Sequence, residues 1–91
     1  MMEIFTVEQI TVLRKCLHLS VEQLWSYLDM TKQSGYNIEK GRIRMSRTIA
    51  IAMTTVLKYL CEEQKLDYKA LLNSYEEVKG NQVFLTIFEQ V

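Results

Sequence analysis

Few residues of this chain could do covalent or metal chemistry. His18 has no second His or Cys at ligand spacing and reads as a helix-end or surface histidine. Cys16 and Cys61 fall on or beside apolar stripes of predicted helices, so they read as reduced core residues rather than a disulfide or a metal pair. Glu62 and Glu63 are adjacent on a helix and do not converge, no Gly-rich phosphate loop is present, and no His is paired with a Cys or Ser. No enzyme activity, metal or cofactor is therefore expected. What remains is recognition chemistry in a short stretch, where Lys32, Gln33, Tyr36 and Asn37 are long, polar and outward-facing on one predicted helix. An amide both donates and accepts, so Gln33 or Asn37 can meet an adenine edge in two bonds, while a Lys reaches guanine. Such a helix has the chemistry that reading a DNA major groove requires.

The elements that must hold this row are legible from residue 20 to 41. Ser20 followed three residues later by Gln23 is a capping box, which starts a helix at Val21. Val21, Leu24, Trp25 and Leu28 follow i, i+3, i+4, i+7 and share one face. Asp29 and Met30 make the turn, and Thr31 caps the next helix, Lys32 to Glu39 or Lys40. Gly35 and Ile38, with Glu39, are its only inward positions, and Gly41 supplies a left-handed end.

This stretch resembles the helix-turn-helix of the phage repressor and Cro family, also called XRE-type. The family pattern is roughly Leu-Ser-x-x-x-Leu-Ala, a short turn, Ser/Thr, a reading helix, then Ile/Leu-Glu-x-Gly. Leu19, Ser20, Leu24, Thr31, Ile38, Glu39, Lys40 and Gly41 match it, and the resemblance extends from Thr6 to about Leu72. It implies double-stranded DNA as partner, base contacts from Lys32, Gln33, Ser34, Tyr36 and Asn37, and phosphate contacts from Thr31, Lys40, Arg42, Arg44 and Arg47. It also implies a structural salt bridge from Arg14 to Glu39 that clamps the reading helix onto the first helix. The chain departs from the pattern at Trp25, where a small Ala is usual, and at Gly35, where Ile or Val is usual. These positions face each other in the motif, so an indole against the Gly35 backbone is expected to conserve volume. Val21 replaces a phosphate-contacting Gln found in many relatives, and Asp29 replaces a turn Gly.

The flanking chain supplies scaffold. Thr6 and Gln9 form a second capping box for a helix from Val7 to about Leu17, with Val7, Ile10, Leu13 and Leu17 inward and Arg14 at the edge of that stripe. Ser46 caps the longest helix, to Cys61 or Glu63, with Ile49, Met53, Val56, Leu57 and Leu60 inward. Asp67 caps a last helix, Tyr68 to about Val78, with Leu71, Leu72, Tyr75 and Val78 in register, ended by Lys79, Gly80 and Asn81. Met1 to Phe5 is a short apolar arm.

The 91 residues, 48% hydrophobic and 24% charged with no Pro, suit one small helical domain. Net charge is zero, but its distribution is uneven. Residues 31–58 hold Lys32, Lys40, Arg42, Arg44, Arg47 and Lys58 against Glu39 alone, whereas both flanking segments are net acidic. No run reaches membrane-spanning length and no secretory pattern opens the chain, so no membrane and a cytoplasmic location are expected.

The expected fold class is thus all-α: a five-helix, repressor-like DNA-binding domain at 1–80, with the helix-turn-helix at 20–41, plus a short extended or strand-like tail at 81–91. The tail, rich in β-branched and aromatic residues, is expected to pair with the N-terminal arm or to form a homodimer. The expected function is sequence-specific transcriptional regulation of phage or mobile-element type, the helix at 32–40 reading the major groove. The alternative is an interaction module that keeps the repressor fold but binds a protein partner, as an antitoxin, antirepressor or host-factor regulator.

Overall fold

The computed structural model describes residues 3–79 and sets its elements in the order α1 (Val7–Cys16), α2 (Val21–Trp25), a 3-10 turn (Ser26–Leu28), α3 (Lys32–Glu39), α4 (Arg47–Glu63) and α5 (Tyr68–Val78). Among the described residues all regular structure is helical, and no helix is long and apolar enough to cross a membrane. The tail at 81–91, with its expected strand and dimer contact, lies outside the described residues, as do Met1 and Met2.

The helices begin where side chains can satisfy their free amides. Thr6 with Gln9 and Ser20 with Gln23 form reciprocal capping boxes; Thr31, Ser46 and Asp67 accept from the first turns of α3, α4 and α5. α1, α2 with its 3-10 turn, α3 and α4 end by a shared device, a left-handed residue followed by a backbone bond that spans five positions, whereas the expected end of α5 at Gly80 and Asn81 lies outside the described residues. His18, Asp29 and Lys65 adopt φ 57° and Gly41 φ 77°. The amides of Leu19, Met30, Arg42 and Leu66 return to the carbonyls of Arg14, Trp25, Asn37 and Cys61 at 3.1, 3.2, 2.8 and 2.8 Å. Leu19, Met30 and Leu66 then pack on the core, the hydrophobic contact that usually seals such an end.

Two expectations need correction, while α1 ends as expected, at Cys16 with Leu17 its buried cap. The helix begun at Val21 does not stay α-helical to Leu28: it tightens into the 3-10 turn so that Asp29 can close on the Ser26 carbonyl, and Leu28 still packs on the core. The inward stripe of α4 is rotated, with Ala50, Met53, Thr54, Leu57 and Cys61 fully buried and Ile49, Val56 and Leu60 only partly so. The small Ala50 allows close approach, and Thr54 is buried without penalty because its hydroxyl donates to the Ala50 carbonyl (2.7 Å) and accepts from the Phe5 amide (2.8 Å). That bond draws the N-terminal arm inward. Phe5 is 1% exposed and meets Tyr68 edge to face, with ring centroids 5.5 Å apart.

The core is one cluster shared by all the helices, with Ile10, Leu13, Leu24, Trp25, Met53, Leu57 and Cys61 fully enclosed. α1 packs against α3, α4 and α5, and α2 packs on α3. The consequence for α3 is specific: it contributes only Gly35 and Ile38 to the interior, so its position depends on other forces.

Candidate nucleic-acid interface

Polar bonds and one shape match fix α3. The Glu39 carboxylate is only 5% exposed and accepts from Arg14 Nε at 3.1 and 3.0 Å, Arg14 Nη2 at 3.0 Å, Thr11 Oγ1 at 3.2 Å and Trp25 Nε1 at 2.7 Å. Arg14 Nη1 donates to the Leu19 carbonyl at 2.9 Å, so the guanidinium ties α1, the α1–α2 connection and α3 together. The expected bridge is present, and its two-pronged geometry gives it orientation as well as charge. Its coupling to the indole of Trp25 and the hydroxyl of Thr11 was not legible in the sequence.

The shape match is that of Trp25 and Gly35. A Cβ at residue 35 would lie 2.5 Å from Cδ1 and 2.9 Å from Cβ of Trp25. The indole therefore occupies the space a side chain at residue 35 would need, as the compensating departures from the family pattern predict. With its N–H held by Glu39 the ring has little freedom to yield.

The outer face of α3 carries the polar row. Lys32, Gln33 and Lys40 are exposed, Tyr36 is 37% exposed and Asn37 is half-buried. Gln33 Nε2 donates to Asn37 Oδ1 at 3.3 Å, one turn apart. That bond links the two amides and leaves Gln33 Oε1 and the Asn37 amide nitrogen available to other partners. Ser34 differs from the rest of the row: its hydroxyl lies 3.0 Å from Thr31 Oγ1, and its amide donates to the same Thr31 oxygen at 3.1 Å. It closes the helix cap.

Cations gather at the other end of the row. Lys40 Nζ and Arg42 Cζ each lie 5.5 Å from the Tyr36 ring centroid, so one aromatic ring organises two positive charges. Arg44 and Arg47 follow, both exposed, Arg47 in the first turn of α4. Among the described residues none of Lys32, Lys40, Arg42, Arg44 and Arg47 has a carboxylate partner, whereas Arg14, Lys58 and Lys79 each do. Lys58, counted with the basic segment in the sequence, belongs elsewhere: it pairs with Glu3 at 3.5 Å and sits over the rings of Phe5 and Tyr68. Lys15 is an addition. With Val21, Tyr36 and Lys40 it lines a groove of about 170 Å³ between α1, α2 and α3, where it can supply a cation beside the position at which Val21 offers no polar group.

No metal-ligating cluster occurs among the described residues. Cys16 and Cys61 are free thiols, and burial pushes both above the ordinary thiol range. No family model, curated protein or solved structure matches the chain.

Proposed function

We propose that the chain is a sequence-specific double-stranded DNA-binding regulator with a repressor-type helix-turn-helix, reading the major groove with α3. The observation that carries this reading is the contrast between the two sides of that helix. Inward, α3 is held rigidly by Glu39, Arg14 and Trp25 while adding little to the core. Outward, it presents two linked amides and cations that have no carboxylate partner among the described residues. A rigid mount for an exposed polar row suits a surface whose task is recognition. Lys32, Gln33, Tyr36 and Asn37 address base edges, Gln33 and Asn37 as the pair best suited to adenine. Ser34 orders the start of the helix with Thr31. Lys40, Arg42 and Arg44 address phosphates, with Lys15 at the edge.

The helix ends support the same reading. α1 and α2 carry Glu8 and Glu22 in their first turns and α5 is capped by Asp67, each placing negative charge at the positive end of the helix dipole. α3 and α4 instead open on Lys32 and Arg47 with no acidic residue in their first turns, and at α3 an external anion such as a DNA phosphate would improve the arrangement.

Anisotropy titration of a labelled duplex across a salt series tests the assignment. Removing either Arg42 or Arg44 should weaken binding to all sequences alike and lower the salt slope by about 1 per lost contact. Unchanged slopes in both variants would remove the loop from the interface.

A further inference from the structure

The outer face of α4 has no role in this reading, yet its residues are patterned. Opposite the buried stripe run Thr48, Ile51, Ala52, Thr55, Tyr59 and Glu62, spaced by three and four residues as in a coiled-coil seam. Thr48, Thr55 and Tyr59 are exposed, Tyr59 by 58%, and Tyr27 beside it by 55%. The Thr55 hydroxyl donates to the Ile51 carbonyl at 3.1 Å, which satisfies its polarity along its own helix and leaves the position small and uncharged. The helix also begins with Arg47 and ends with Glu62 and Glu63.

Of these positions, Thr48 and Glu62, and Ile51 and Tyr59, are symmetric about Thr55; Ala52 has no counterpart on the face. When two copies of α4 pack antiparallel about a two-fold axis at Thr55, Ile51 meets Tyr59 of the second copy, Thr48 meets its Glu62, and Thr55 meets Thr55. Arg47 comes beside the acidic Glu62 and Glu63 end. An isologous contact needs this self-complementarity, in which residue i meets j and j meets i. The charges add to it. Arg47 sits at the positive end of its own helix dipole with no carboxylate partner among the described residues, and Glu62 and Glu63 sit at a negative end. Antiparallel pairing relieves both.

From this charge complementarity and seam spacing we infer that the outer face of α4 is a homodimer interface, occupied by α4 of a second copy. Arg47 then serves the subunit contact, while the phosphate role stays with Lys40, Arg42 and Arg44. The seam is under five helical turns long, which places association in the weak, micromolar class. The inference does not depend on DNA binding, since it concerns the free protein.

The test is sedimentation equilibrium of the full chain without DNA over the micromolar range. The wild type should show a reversible monomer–dimer equilibrium. Thr55→Lys sets two cations against each other on the two-fold axis and should weaken association at least tenfold, with the melting temperature of the monomer unchanged because the site is exposed in the single chain. Arg47→Glu should weaken it too, and adding Glu62→Arg and Glu63→Arg should restore it. A wild type that stays monomeric through the high micromolar range overturns the inference. So does a dimer that Thr55→Lys leaves intact, which would place the contact elsewhere in the chain, residues 81–91 included.

Discussion

Single side chains decide where α3 stands. Glu39 gathers three donor residues into a nearly dry site, and removing one partner of such a set leaves a charge without compensation. Arg14→Ala should therefore destabilise the fold by about 3–5 kcal/mol, measured by urea unfolding. A loss below 1 kcal/mol, the scale of an exposed ion pair, would mean that water supports the carboxylate. Gly35 sets a second constraint, because the indole facing it is held by its own hydrogen bond. Gly35→Ala should lower stability by about 1–3 kcal/mol through overpacking, although alanine is the better helix former. A variant as stable as the wild type would show that Trp25 is free to move. The two thiols, Cys61 buried and Cys16 partly so, add a chemical prediction. Both are held above the ordinary thiol range by burial, so the folded state keeps protons that the unfolded state gives up at alkaline pH. Their contribution is complete below the ordinary thiol pKa and declines as pH rises past it. At neutral pH a thiol reagent should label Cys61 only as fast as the fold opens, and labelling at the rate of a free cysteine would contradict its enclosed position.

At the scale of elements, the helix ends show what could be read in the sequence and what could not. Every N-terminal cap was legible, since Ser, Thr and Asp beside an apolar run have few other reasons for that spacing. The left-handed residues at His18 and Lys65 were not, because neither type marks that conformation as glycine does. Only the hydrophobic residue that follows each, Leu19 and Leu66, hints at it. These ends yield a prediction with a built-in comparison. Lys65→Gly should raise stability by about 0.5–1 kcal/mol by relieving a left-handed backbone at a site that carries a side chain. Asp29→Gly should gain less, because aspartate tolerates that region. Urea midpoints of the two variants decide it, and equal or negative shifts at both would remove backbone strain as a factor. The rotated stripe of α4 was hidden for a related reason: burial of Thr54 depends on a bond from Phe5, 49 residues away, which no local periodicity reports.

For the whole molecule, zero net charge conceals an arrangement. Of the six cations at residues 31–58, five have no carboxylate partner among the described residues, and Lys58 serves the N-terminal arm through Glu3 and two aromatic rings. The resemblance to the repressor pattern implied the Arg14–Glu39 clamp, and the spacing between Thr31 and Gly41 gave the exposed row. It did not supply the three-donor set on Glu39, the Tyr36 platform under Lys40 and Arg42, or the cap role of Ser34, which depend on side chains converging from different helices. Groove reading by α3 is the central claim, and enrichment of tight-binding duplexes from a random DNA pool at near-physiological salt tests it most directly. The wild type should enrich one consensus, and the Gln33→Ala/Asn37→Ala protein, intact in fold because both positions lie outside the core, should lose it while keeping weak, salt-sensitive binding. Absence of any enriched sequence with the wild type, or the same consensus with the double variant, would contradict groove reading by α3.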